Sequence, residues 1–298
     1  MTPDPLRVRA VIEASGPQAV TVALPLRQPG TTAYLGRLAC GLVVKFLAVD
    51  DLRRALRTRS GSAPGGGLRE PRWAAPLRRA PWPDNPFRPD RARADRLRRG
   101  HDRAVAVLGT VTRETAEAAV RHTVPGLPGG LRRMVVSAAF GDGPVLGLVP
   151  EPSRPTVASF PDLGVADVPA LLQQDAGPRA VRLAPAEPDP ATAAAVAVLL
   201  CLAQLMADRD GIGLDLVPRA DRRGLYLPNV LVRREGGGPA YVDFFGLGDP
   251  DGCLVERCGH RALYRGPRLL AALAANATRA AAPSAASARG AARPEGRR

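Results

Sequence analysis

The chain has 298 residues, a formal net charge of +14, 45% hydrophobic residues, 31 glycines and 31 prolines. That length holds one large domain or two small ones with an ample core, while so much glycine and proline leaves a good part outside regular structure. The most apolar run, Ala191 to Met206, is shorter than the ~20 residues a bilayer span needs, and the N-terminus carries no apolar signal core, so a soluble intracellular protein is expected. Four scattered cysteines exclude a disulfide framework, and although Cys253, Cys258 and His260 cluster, they match no common zinc spacing.

The charge is concentrated. Residues 53–103 hold fifteen arginines against five acidic residues, the tail 276–298 holds five against one, and the remainder is neutral. Forty-one of the 42 basic residues are arginine, and the one lysine, Lys45, closes the apolar run Gly41-Leu42-Val43-Val44. In an arginine-biased chain a surviving lysine points to a need for a compact ammonium rather than a planar guanidinium.

In chain order, the alternation of Val20, Val22 and Leu24 predicts a strand, followed by a turn at Pro29-Gly30-Thr31. Runs 32–39 and 42–48, separated by Cys40-Gly41, predict a hairpin that completes three antiparallel strands with Lys45 on the third. The interleaved arginines, prolines and Gly65-Gly66-Gly67 predict a disordered insertion over 53–103, whose Trp73 and Trp82 could stack on bases or anchor a partner. A helix is expected over 110–122, capped by Thr112 with Glu114 and Glu117 in its first two turns. Two strands at 131–139 and 144–149, a short helix at 165–174 and a long buried helix from Pro190 to about Asp208 follow. Leu214-Asp215-Leu216, Asn229-Val230-Leu231-Val232, a Gly-Gly-Gly hairpin at 236–238 and Ala240 to Phe244 complete the ordered part.

This order resembles a protein kinase. Asn229-Val230-Leu231-Val232, a hairpin and Val242-Asp243-Phe244 are similar to the family's metal-binding segment, and Gly211 to Leu216 resembles the start of its catalytic loop. Lys45 stands where the family's third strand carries the lysine that grips the α- and β-phosphates. The resemblance implies an α+β, two-lobe fold, with an N-terminal antiparallel sheet and a reduced helical C-lobe. The N-lobe would span 1–52 and 104–150, the insertion 53–103, the C-lobe 151–275, and a disordered basic tail 276–298. It implies ATP and magnesium as cofactors, with Asn229 and Asp243 on the metal, Asp215 as catalytic Asp and Lys45 on the phosphates. Glu114 or Glu117 would be the ion-pair partner of Lys45, and Gly30 would serve the phosphate-covering turn.

The chain also departs from the family. Gly30 is the only glycine of the turn at 26–31, Gly213-Leu214 replaces His-Arg, and Phe245 stands where the motif's glycine belongs. The interval from Asp215 to Asn229 is about nine residues longer than in the family's H-R-D-x-x-x-x-N, and 55 residues follow Asp243. Taken singly, Asp215 and Asp243 read equally as strand terminators, Asn229 as a turn residue after Pro228, and the glutamates as a solvated helix face. Their joint order points to function: a divergent Ser/Thr protein kinase-like protein, with similarity in composition and motifs to the kinases of large DNA viruses, herpesviruses especially. Host nucleus or virion would then be its location. Two further readings remain open: a pseudokinase scaffold, and a basic nucleic-acid-binding or virion structural (tegument-like) protein acting through 53–103 and 276–298. Partners would be the nucleotide, protein substrates or a protein completing the C-lobe, and no membrane. His101, His122 and His260 have no triad-like company, which argues against a hydrolase.

Overall fold

The computed structural model describes residues 6–244 apart from 14–17, 25–32, 39, 48, 60–92, 184–188, 211–212, 217 and 235–237. Among them the chain is mixed α+β. A mostly antiparallel six-stranded sheet and a smaller four-stranded one are joined by helices around one continuous apolar core. Gly30, Trp73, Trp82, Cys253, Cys258, His260 and the 276–298 tail, all singled out in the sequence, lie outside the described residues.

The large sheet has the order β2-β1-β5-β6-β4-β3. Strand β1 (Leu6–Ile12), which sequence reasoning passed over, buries Val8, Ala10 and Ile12 and exposes Arg7 and Arg9. This is the period-two pattern of a sheet with one covered face. It pairs with β2 (Gln18–Leu24) in the register Leu6↔Leu24. Strands β3 (Ala33–Arg37) and β4 (Leu42–Leu47) form the expected hairpin, with Leu35 opposite Lys45. Gly36 lets β2 close over this hairpin, because a Cβ there would meet Val22 Cγ1 at 3.0 Å and Val44 Cγ1 at 3.2 Å.

Between β4 and the next strand of this sheet the described residues form four helices. Two of them, α1 (Asp50–Arg59) and α2 (Arg93–Leu108), fall largely where the sequence predicts a disordered insertion. Their arginines concealed an amphipathic pattern. In α1, Leu52 and Leu56 are buried while Arg54 and Arg59 face solvent; in α2, His101, Ala104 and Leu108 are buried while Arg98, Arg99 and Arg103 are exposed. Helix α3 (Arg113–Thr123) forms as expected, with Thr112 Oγ1 accepting from the Thr115 backbone N–H at 3.2 Å. Helix α4 (Gly129–Phe140) replaces the strand expected at 131–139. The buried Val135, Val136, Ala139 and Phe140 recur at helical spacing, which the glycines at 129–130 disguised. Residues 144–149 run as an extended link rather than a strand of the sheet, making only the bridge Val111↔Leu146.

Strands β5 (Ser153–Phe160) and β6 (Val165–Gln174) fill the centre of the sheet, and β6 overturns the helix expected there. Flanked by β5 and β4, it is covered on both faces from Val168 to Leu171, so its apolar residues run continuously instead of alternating. Pro169, inside the segment, would in any case have broken a helix.

Gly177 turns the chain from β6 toward the smaller sheet, at φ +135° and with no room for a Cβ, which would lie 2.5 Å from the Val232 carbonyl oxygen. The smaller sheet runs β10-β9-β7, with β8 also paired to β9. It consists of β7 (Ala180–Arg182), β8 (Arg219–Asp221), β9 (Gly224–Val232) and β10 (Pro239–Tyr241). Between β7 and β8 comes the expected long helix α5 (Pro190–Arg209), begun by Asp189, whose carboxylate accepts from the Thr192 N–H at 2.9 Å. It is the one described helix long and apolar enough to cross a bilayer, yet 78% of its apolar stretch is buried inside the protein, packed by α3 and α4.

Candidate functional site

Lys45 sits mid-strand on β4 between the buried Val44 and Phe46, its side chain only 16% exposed. Its ammonium Nζ donates to Asp243 Oδ1 at 2.6 Å, across 198 residues of sequence. Asp243 is 17% exposed and lies just beyond β10, so the pair joins the large sheet to the small one. A charge-assisted bond of this length, largely screened from water, fixes both side chains more firmly than an exposed ion pair would.

The position of Asp243 is set by its own strand. Tyr241 pairs with Val230 on β9, the Tyr241 N–H donates to the Leu148 carbonyl at 2.8 Å, and the Val242 N–H donates to the Asn229 carbonyl at 3.0 Å. The link 144–149, read from sequence as an ordinary strand, thus serves as the third rail on which the Asp243 segment is hung. Arg233 reinforces it by donating to the carbonyls of Gly147 and Val149, both at 3.0 Å. Burial lowers the pKa of its guanidinium from the usual arginine value.

Asn229 and Asp215 meet as well. The Asn229 Nδ2 donates to the Asp215 backbone carbonyl at 3.0 Å, a bond that does not use its Oδ1 acceptor. The extra residues between them are absorbed by a hairpin: β8 doubles back on the start of β9, pairing Asp221 with Gly224 and Arg219 with Tyr226. Arg182 on β7 anchors this hairpin through two bonds to the Asp221 carboxylate at 2.9 and 2.7 Å, which hold that carboxyl down at about 2, and its guanidinium lies over the Tyr226 ring. The long interval therefore does not separate Asn229 from Asp215. A cleft of about 1060 Å³ opens beside the hairpin, lined by Arg179, Arg182, Arg223 and Tyr226 among others, and contains none of Lys45, Asp215, Asn229 or Asp243.

The expected glutamates are elsewhere. Glu114 and Glu117 lie on α3, which packs on α5 and α4 rather than on the sheet bearing Lys45; Glu114 is exposed and Glu117 half-buried. The expectation failed because it placed them on the first helix after Lys45, whereas α1 and α2 intervene. It is these two that pack on the sheet, α2 on β5 and β6 and α1 on β6.

Two residues that sequence reasoning did not place with these four lie against them or their segment. Tyr241, fully buried, hydrogen-bonds through its hydroxyl to both the Asp215 and Asp243 backbones. His101 on α2 is 4% exposed, its Nε2 lies 2.9 Å from Ser153 Oγ, and its ring packs edge-on against Phe244, centroids 5.0 Å apart. The only sequence signal for Tyr241 was a polar-tipped aromatic in an otherwise apolar strand; His101 lay in the segment read as disordered.

Burial lowers the pKa of His101 from its ordinary value near 6.5, against the opposing effect of Asp102. The unfolded chain then takes up the proton more readily than the folded one. The contribution to stability is therefore complete above about pH 6.5 and declines as pH falls through 6.5 toward the lower folded-state value. Thermal melts between pH 7.5 and 5 should show this decline in the wild type and a flatter profile in His101→Gln; identical slopes would show that His101 is not its source.

Among the described residues no three His, Cys, Asp or Glu side chains gather into a metal cluster. The residues that the kinase resemblance assigns to magnesium offer the Asp243 carboxylate and the Asn229 amide oxygen as donors. That oxygen-only donor set suits magnesium, which normally keeps water and phosphate oxygens in its remaining positions. No family model matches the sequence, and no curated protein or solved structure is significantly similar to it.

Proposed function

We propose that the chain is a divergent Ser/Thr protein kinase-like phosphotransferase that binds Mg-ATP between the two sheets. The observation that carries this reading is the contact of Lys45 with Asp243, the lysine from β4 and the aspartate from beyond β10. The bond from Asn229 to the Asp215 carbonyl supports it, because the Tyr241 hydroxyl in turn links the Asp215 and Asp243 backbones. The two-lobe arrangement belongs to the same proposal, the large sheet and α2 forming one lobe and α5 with the smaller sheet the core of the other.

In this reading Lys45 binds the α- and β-phosphates, Asn229 and Asp243 hold magnesium, and Asp215 orients the substrate hydroxyl. Magnesium supplies neutralisation of phosphate charge when bound. The protein supplies position: the 2.6 Å Lys45–Asp243 contact keeps the phosphate-binding cation and the metal-binding carboxylate adjacent. ATP at 100 times its dissociation constant should stabilise the native state by roughly 2.7 kcal/mol, and chelating the metal should remove most of that. Thermal unfolding with Mg-ATP, and with ATP plus a chelator, tests this. No metal-dependent shift would sink the reading.

The exposed arginines of α1 and α2, Arg54, Arg59, Arg98, Arg99 and Arg103, favour a second role in non-specific nucleic-acid binding that weakens steeply with salt. Replacing the exposed Arg54, Arg59 and Arg99 by glutamine tests it: salt-sensitive binding to duplex DNA should weaken, and unchanged binding would contradict it, whereas a deletion of all of 53–103 would also take away the buried Leu56 and His101.

A further inference from the structure

The dipeptide before Asp215 has no polar side chain: Gly213 has none at all, and Leu214 is fully buried. Neither side chain can therefore hydrogen-bond to the Asp243 segment. Tyr241 does so from the adjoining strand. Its hydroxyl accepts from the Asp215 backbone N–H at 3.1 Å and donates to the Asp243 backbone carbonyl, using one donor and one acceptor site of the phenol in opposite directions. The ring is fully buried and packs edge-on against Phe244, centroids 5.4 Å apart, which leaves the hydroxyl little freedom to turn away.

We infer that Tyr241 is a positioning residue: its hydroxyl clamps the Asp215 and Asp243 backbones together and so sets the spacing of the two carboxylates. It touches neither nucleotide nor metal in this role. The clamp is a feature of the fold, and its consequence for metal binding rests on the Mg-ATP reading above. A bridge made by one hydroxyl is severed by the loss of a single oxygen, so Tyr241→Phe removes it while leaving the ring in place. A buried amide deprived of its acceptor costs enough to matter locally, whereas the apolar packing around the ring is retained.

Amide hydrogen exchange, followed by NMR in the full chain without ligand, reads the clamp directly. In Tyr241→Phe the Asp215 amide should exchange at least about tenfold faster, while amides of Val196 to Leu202 in α5 keep their protection. Unchanged exchange at Asp215 would overturn the clamp. Should the variant fail to fold, the wild-type Tyr241 hydroxyl proton decides: a distinct resonance in slow exchange supports the bridge, and one averaged with water overturns it.

The positioning role is read separately. The magnesium concentration giving half of the ATP-dependent stabilisation should rise several-fold in Tyr241→Phe, with ATP affinity in chelator unchanged. A broken clamp with an unchanged magnesium midpoint would overturn that role. A wild type that ignores Mg-ATP while Asp215 exchange still rises in the variant would overturn the nucleotide reading and the positioning of a metal site with it, and leave the clamp supported.

Discussion

Lys45→Met should abolish the Mg-ATP-dependent rise in melting temperature. Methionine is close to the length of the aliphatic stem of lysine and suits the buried surroundings of β4, between Val44 and Phe46, but lacks the ammonium that meets Asp243 at 2.6 Å. Nucleotide phosphates carry dense negative charge, and Lys45 is the only lysine of the chain. With the wild type near saturation, the ligand contributes roughly 2.7 kcal/mol. For a folded unit of this size that amounts to a shift of roughly 5–10 °C. The variant's own unliganded melt is the baseline, so any change in intrinsic stability drops out of the comparison. A full shift retained in Lys45→Met would remove the lysine from the nucleotide site.

Phe160→Ala should cause the larger loss of intrinsic stability. Phe160 ends β5, is fully buried, and meets the ring of Phe46 edge to face, with centroids 5.0 Å apart and planes at 65°. Phe46 is the neighbour of Lys45 on β4, and β6 lies between the two strands. Truncation leaves a cavity in the middle of the large sheet, where strands registered on both sides cannot collapse to fill it. Losses of about 3–5 kcal/mol are usual for such a change. Urea unfolding would show a lowered midpoint at a similar slope. A loss under about 1 kcal/mol would mean that the β5–β4 region is not the tightly packed core described here.

The parts of the fold that were legible in the sequence are those whose local signals agree with their tertiary setting. The β3–β4 hairpin announced itself through Cys40-Gly41 between two apolar runs, α3 through the Thr112 cap, and α5 through Pro190 and its run of alanines and leucines. The failures have physical causes. Strand β6 is central and covered on both faces from Val168 to Leu171, so its residues gave no alternation to read. Helix α4 buries only one narrow stripe, and its Val-Val pair with β-branched side chains mimics a strand. In α1 and α2 the long arginine side chains fill the solvent face so densely that composition hid the buried stripe.

For the site, the sequence order suggested that Lys45, Asp243, Asn229 and Asp215 belong together; the structure pairs Lys45 with Asp243 and Asn229 with the Asp215 backbone. The pairing itself was not legible. The acidic partner of Lys45 described here is Asp243, where the sequence suggested a glutamate of α3, and the clamp by Tyr241 depends on a hydroxyl direction that no linear pattern encodes. The hairpin that absorbs the interval before Asn229 was also invisible, because its strand β8 has only three residues.

Paramagnetic relaxation by Mn-ATP tests the central claim most directly. Manganese replaces magnesium on oxygen ligands and broadens NMR resonances near it. Titrating substoichiometric Mn-ATP into the labelled full chain should broaden the Asn229 side-chain amide and the Asp243 backbone amide first, leaving Thr115 and Ala116 on α3 sharp. Early broadening elsewhere, or none at Asn229 and Asp243, would contradict a metal-nucleotide site built on Lys45, Asn229 and Asp243.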